Sequence, residues 1–207
     1  ADLYRVARPP ATSKSKDWQV IVPVPESAYK SSGDGSPLLP EIPFLAGNSG
    51  YWPYFDKDGQ LVCFRVRMDR PEGKKDIFPV CFCRHRINAE TSWQLREPRE
   101  PFDLFDLPSV LSATDGVLVV EGERTATAAR RTLPGWSVTT WPGGVQRVRK
   151  ADWSTLKALT GVKIVLWPDN DEPGIAAMSE IARLLDRTVR VVTLDPSWPK
   201  GYDIADL

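Results

Sequence analysis

Residues 165–174 read VLWPDNDEPG, an apolar run that ends in two aspartates, Asp169 and Asp171, with one residue between them. Carboxylates this close repel one another, and their pKa values rise unless a cation or hydrogen-bond donors compensate. Two readings are open at this point. The pair is either an acidic helix start, favoured by about 0.3–1 kcal/mol through the helix dipole, or part of a divalent-metal site. The residues downstream, 173–185, place Ile175, Met178, Ile181, Ala182 and Leu185 on one helical stripe. Asp171 then stands at the N-cap, and Pro173 in the first turn, where proline is tolerated.

Upstream, the same alternation of strand and helix extends back to residue 115. Residues 117–120 form a continuous apolar run, as in a strand buried on both faces, and residues 123–132 are Ala-rich and helical. A second strand over 136–141 precedes Pro142-Gly143-Gly144. A short helix over 152–159 follows, then a third strand over 162–167, the helix over 173–185 and a fourth strand over 189–194. Four strands alternating with three helices predict an open parallel sheet with right-handed crossovers.

Ligands bind such sheets at the carboxyl ends of the strands. Those ends carry Glu121-Gly122, then Gly143-Gly144, then Asp169 and Asp171, then Lys200-Gly201-Tyr202-Asp203. Acidic groups therefore recur at three of the four ends. Oxygen donors with no histidine nearby suit Mg²⁺ or Mn²⁺ rather than Zn²⁺. Gly143 and Gly144 would let bare backbone approach a phosphate, or they form only a turn. Asp203 is a site member or a surface-loop residue. If the metal reading holds, Glu121, Asp169 and Asp171 should converge.

The remainder of the chain is of different character. Residues 1–50 contain RPP, SGDGSP and LPEIP, and read as an extended arm or linker. In residues 51–113, period-two alternation around a Lys57-Asp58-Gly59 turn predicts a hairpin, with a further extended segment over 77–84. The expectation is a small antiparallel β subdomain, with a connector over 96–113 that includes a short helix. The α/β domain then occupies 114–207. Val62, Phe64, Val66 and Met68 fall on one face of the hairpin, opposite Cys63, Arg65 and Arg67. That face, with Arg70, Lys74 and Lys75, is either a nucleic-acid-binding surface or simply solvated. Cys63, Cys81, Cys83 and His85 tempt a zinc reading. Same-face neighbours on one strand are about 6.5–7 Å apart, too far to share an ion without a bend, so buried thiols are preferred.

The 27 basic residues balance 27 acidic ones, so any binding to nucleic acid must come from local patches. No apolar run approaches the roughly 20 residues that span a bilayer, and no signal peptide opens the sequence. An odd count of three cysteines argues against a disulfide framework and for a reducing cytoplasm. The first residue is not Met and the last two are Asp-Leu, which suggests a piece of something longer.

The succession VLVVEGE, a Gly-Gly turn, VLWPDNDEPG and KGYDIADL resembles the TOPRIM domain of DnaG-type primases. It is nearest to the versions in plasmid, phage and integrative-element replication proteins. The stretch CRHRINAETSWQLREPREPFDLFDLPSVLSA resembles the module that precedes TOPRIM there, so the likeness covers roughly residues 50–207. The fold implied is a TOPRIM-like four-stranded parallel sheet with flanking helices. The resemblance implies that Glu121 is a catalytic acid/base or metal-contacting group, and that Asp169 and Asp171 bind metal. The late acidic motif falls on Asp203, with Asp206 as a second candidate. Gly122, Arg124, Gly143, Gly144 and Lys200 become nucleotide- or phosphate-binding residues. The family's commoner EGEK is EGER here, so Arg124 offers a fork where relatives present a point charge. The implied activity is Mg²⁺-dependent synthesis of short RNA primers from NTPs on single-stranded DNA, with a helicase domain or protein as partner. A TOPRIM nuclease using the same ligands, and a non-catalytic nucleic-acid-binding module, are the alternatives.

Overall fold

The computed structural model describes residues 17–206, and its contacts divide the chain into two compact units. The first unit comprises the chain up to Pro53 and Gln60–Arg99, and the second Tyr54–Gly59 and Glu100–Leu207. The first 16 residues of the expected arm lie outside the described residues.

The first unit is built on a five-stranded sheet containing β1 (Trp18–Val20), β2 (Gly50–Phe55, its last two residues counted with the second unit), β3 (Leu61–Asp69), β4 (Lys75–His85) and β5 (Thr91–Leu95). Its path runs β1-β4-β3-β2, with β5 also on β4. The hairpin turn forms where the sequence places it. Asp56 accepts a hydrogen bond from the Asp58 amide through Oδ1 (3.0 Å), and Gly59 closes the turn at φ +76°, a conformation that favours glycine. Strand β3 pairs antiparallel with β4 in a register that sets Phe64 opposite Val80 and Arg67 opposite Ile77. Within the expected loop-like arm, Trp18–Val20 pairs with β4 as a strand.

The alternation in β3 misled in one respect. Every residue from Leu61 to Val66 is buried, so neither face of that stretch is open to solvent. Arg65 is 2% exposed and forms a fork with Glu97, Nη1 to Oε1 at 3.2 Å and Nη2 to Oε2 at 2.6 Å. The expectation that Arg65 lies on a nucleic-acid-binding face is corrected. A charge of this kind persists in a core only when a bidentate partner meets it, and Glu97 is that partner. The cysteines follow the buried-thiol reading, being free and at most 2% exposed. A hydrogen bond with Cys63, together with burial, pushes the Cys81 thiol well above its ordinary range, and burial raises Cys83 to about 11. Both are protonated at neutral pH.

The second unit carries β6 (Gly116–Val119), β7 (Ser137–Thr139), β8 (Lys163–Leu166) and β9 (Arg190–Val191) in a sheet of order β7-β6-β8-β9, parallel throughout. Helices α1 (Leu107–Leu111), α2 (Glu123–Thr132), α3 (Ser154–Ala158) and α4 (Glu172–Leu185) accompany it. This is the open parallel α/β sheet expected. Residues 100–113 pack with this unit, Phe102, Leu104, Phe105 and Val110 all being buried. Val117 and Val119 join Trp141, Leu156, Ile164, Leu166, Met178 and Ile181 in one core. Gly116 lies so near Trp136 that a Cβ there would stand 2.5 Å from the indole ring. Helix α4 buries Gly174, Ala177, Met178, Ile181 and Leu185, while Ile175, expected on the stripe, is 49% exposed. Among the described residues no helix is long and apolar enough to cross a membrane.

One carboxylate in this unit opposes folding at neutral pH. Burial, reinforced by the charges of Asp56 and Asp152, raises Asp103 to about 6 from an ordinary 3.8. Because the folded state holds this proton more tightly, Asp103 favours folding below pH 3.8, and its contribution declines until pH passes about 6. Asp103→Asn should therefore raise stability at pH 7.5, by on the order of 1 kcal/mol after allowance for solvent screening. The gain should vanish at pH 4, as read by urea denaturation at the two pH values.

Candidate functional site

The parallel register aligns three strand ends. Val119 of β6 is paired with Thr139 of β7 on one side and Leu166 of β8 on the other. The first residues past the strands continue the alignment, Val120 N–H donating to Thr139 O (3.0 Å) and Trp167 N–H to Val119 O (2.9 Å). Glu121 thus follows the central β6, with Gly143-Gly144 beyond β7 to one side and Asp169 to Asp171 beyond β8 to the other. The sequence order of these motifs differs from their order across the sheet.

Glu121 is half-buried at the mouth of the β6–α2 turn. The following Gly122 takes φ +86° and ψ 149°, and its amide donates to Thr140 Oγ1 at 2.9 Å, which ties the β6 and β7 ends together. Arg124, in the first turn of α2, is exposed. Glu123 is buried instead, and Oε1 accepts from the Tyr54 hydroxyl at 2.8 Å. At the β7 end Gly143 and Gly144 both have positive φ (+90° and +67°). The carbonyl of Gly144 accepts from Trp141 Nε1 at 2.7 Å and from the Arg147 amide at 2.9 Å. Trp141 itself is buried and packs on Trp153, so its indole serves the core.

Asp171 caps α4 as expected. Its backbone is extended and its Oδ1 accepts from the Gly174 amide at 2.8 Å. Gly174 sits against the preceding acidic residue: a Cβ there would stand 2.8 Å from the Asp169 carbonyl oxygen and 3.0 Å from its amide nitrogen. Asp169 is therefore held by a helix that approaches closely because it presents glycine. Asn170, unremarked in the sequence, fastens this loop to the C-terminal segment. Its Nδ2 donates to Trp198 O (2.8 Å) and Pro199 O (3.0 Å), its N–H to Tyr202 O (3.0 Å), and its carbonyl accepts from Gly201 N–H (3.0 Å). Lys200 is thereby placed beside the Asp169–Asp171 loop, exposed to solvent.

Asp203 is engaged on both oxygens. Oδ2 accepts from Thr125 Oγ1 of α2 at 2.8 Å, and Oδ1 from the Ala205 amide at 2.5 Å. Asp206 Oδ2 accepts from the Asp203 amide at 3.0 Å. These bonds hold the last described turn against α2, a structural role at the position expected to ligate metal.

Among the described residues, no group of three or more His, Cys, Asp or Glu side chains is arranged to hold a metal ion. The expected three-carboxylate cluster of Glu121, Asp169 and Asp171 is not among such groups, and one oxygen of Asp171 serves the helix cap. The donor set still suits one kind of cation. Mg²⁺ keeps several waters and takes one or two carboxylates together with substrate phosphates, and needs no all-protein cage.

In the first unit Arg67 pairs with Asp69 (2.6 Å) and Arg70 with Asp76, while Lys74 and Lys75 are exposed. The basic surface is therefore narrower than the sequence suggests.

No family model matches the chain, and a comparison of its sequence with curated proteins finds no match. Among solved structures the chain is similar to bacteriophage T7 primase domains of two gp4 subunits, described with lagging-strand DNA polymerase, an RNA/DNA hybrid and dTTP. The identity there is 20% and the TM-score 0.49, over 73% of this chain and 67% of that one. It is also similar to the primase fragment of the bacteriophage T7 primase-helicase protein, at 20% identity and a TM-score of 0.47, over 70% of this chain and 52% of the other. The chain thus spans about two thirds of one and about half of the other.

The cap and the charge of Asp171 can be separated by substitution. Asp171→Ala should lower stability by about 1 kcal/mol, while Asp171→Asn should remain within a few tenths of the parent, since asparagine caps comparably. Guanidinium unfolding of the two variants checks this.

Proposed function

We propose that the second unit is the catalytic core of a DNA primase-like nucleotidyltransferase with a TOPRIM-type site. In this reading it makes short RNA primers on single-stranded DNA, with Mg²⁺, for the replication of a plasmid, phage or integrative element. The observation that carries the reading is the strand order. It sets Glu121 between a Gly-Gly turn suited to phosphate and an acidic loop suited to a divalent cation. Phosphoryl transfer needs those three elements side by side: a cradle for the phosphates, a group that manages the proton of the attacking hydroxyl, and compensation for developing charge.

Glu121 and Asp169 are the carboxylates that would hold Mg²⁺, which when bound supplies charge neutralisation at the triphosphate and the leaving pyrophosphate. Glu121, on the central strand, would accept the proton of the attacking 3′-hydroxyl. Gly143 and Gly144 bring backbone without a side chain of its own to the β7 end, where phosphate oxygens would lie, and the sequence places Arg124 and Lys200 as further cations at neighbouring strand ends. Asp171 fixes the N-terminus of α4 and thereby the loop bearing Asp169. Lys74 and Lys75 of the first unit are exposed cations that suit a template backbone. A helicase, as a further domain or a separate protein, fits a primer-making role.

The test supplies single-stranded template, NTPs and Mg²⁺ and resolves labelled products. The parent should make short RNA, and Glu121→Gln should cut the yield by roughly 100-fold or more, the usual contribution of a positioned acid/base. Glu121→Gln matching the parent would overturn the assignment. Strand cleavage without NTPs would identify a nuclease instead.

A further inference from the structure

We propose that Arg147 is a polyphosphate-binding residue, held along the Gly143-Gly144 turn to grip the triphosphate of an incoming nucleotide. The inference rests on the nucleotidyl-transfer reading of this site and adds a residue that neither the motifs nor the strand ends single out.

Gly143 is exposed and has φ +90°, yet open space does not surround its Cα. A Cβ there would stand 2.2 Å from Arg147 Cδ, and 3.0 Å from both Cγ and Nε. The arginine side chain therefore lies flat on the glycine. On the same side chain, the guanidinium carbon stands 5.9 Å from the centroid of the buried Phe102 ring, within cation–π range. The Arg147 amide donates to Gly144 O, so the backbone that carries the arginine is also the backbone that closes the turn. A positive charge is thus laid on a half-exposed glycine turn at the carboxyl end of β7, next to the strand that carries Glu121.

These features suit a phosphate chain. Two consecutive glycines present backbone amides with no side chain of their own, and a planar guanidinium meets two phosphate oxygens at once, which a lysine ammonium does not. Phe102 limits the arginine's freedom beforehand, so less rotamer entropy is lost when an anion arrives. Surface lysines share none of this immobilisation. The ligand is a nucleoside triphosphate or its pyrophosphate portion, not the isolated phosphodiesters of a DNA strand.

Isothermal titration of the 207-residue chain with ATP, with inorganic tripolyphosphate and with a single-stranded oligonucleotide, all in Mg²⁺, tests the assignment. Arg147→Ala and Arg147→Gln should weaken ATP and tripolyphosphate at least 10-fold and leave the oligonucleotide affinity unchanged. Arg147→Lys should recover only part of the loss, because it restores charge without the fork. Gly143→Ala, which displaces the same side chain, should weaken both polyphosphates as well. Thermal unfolding of each variant identifies any that do not fold, and Arg147→Lys and Arg147→Gln keep the test decisive should the alanine variant be one of them. Equal ATP affinity in Arg147→Gln and the parent would overturn the proposal, as would absence of polyphosphate binding by the parent at millimolar concentration. A loss confined to the oligonucleotide would overturn it in favour of strand binding. Polyphosphate binding that depends on Arg147 in a parent that makes no primer would uphold this assignment while removing the primer-synthesis reading.

Discussion

Strand β6 hydrogen-bonds to β7 on one side and to β8 on the other, in register from Val117 to Val119. Its residues are buried on both faces, and Gly116 at its start leaves room for the Trp136 ring. A strand so enclosed has one register available, since a slip of one residue would move each side chain to the opposite face and break the packing. Fixing β6 fixes where its carboxyl end emerges, and hence where Glu121 stands relative to the Gly-Gly turn and the acidic loop.

The loops beyond the strands are held by local chemistry suited to each. Thr140 ties the Glu121 turn to β7, and Asp171 caps α4. Gly174 allows α4 to approach Asp169, and Asn170 binds the C-terminal segment through backbone carbonyls. These contacts position the charged groups at the strand ends, with one oxygen of Asp171 engaged in the cap. In the proposed reading, phosphate oxygens and water would complete the shell of a hydrated cation held there.

The α/β unit was largely legible in the sequence because its signals are local. Helix α2 begins and ends where the Ala-rich run does, and the Asp171 cap follows from spacing alone. The misreadings share a different origin. Ile175 falls on the expected stripe because glycine contributes nothing to an apolar pattern, yet Gly174 is what the helix buries. Arg65 alternates as though it faced solvent, but its partner Glu97 is 32 residues away and no period-two pattern records it. Asn170 bonds to main-chain carbonyls near residue 198, and backbone acceptors leave no mark on a sequence. The Arg147 placement likewise depends on Phe102, 45 residues earlier.

The central claim is that Glu121 and Asp169, set by adjacent strands, share a divalent cation with the phosphates of a nucleotide. Anomalous diffraction from crystals soaked with Mn²⁺ and a non-hydrolysable nucleoside triphosphate tests it most directly. The account predicts manganese at roughly 2.0–2.3 Å from a carboxylate oxygen of each of Glu121 and Asp169, with phosphate oxygens and water completing the shell. Manganese bound only elsewhere, or nucleotide bound away from the β7, β6 and β8 ends, would contradict it.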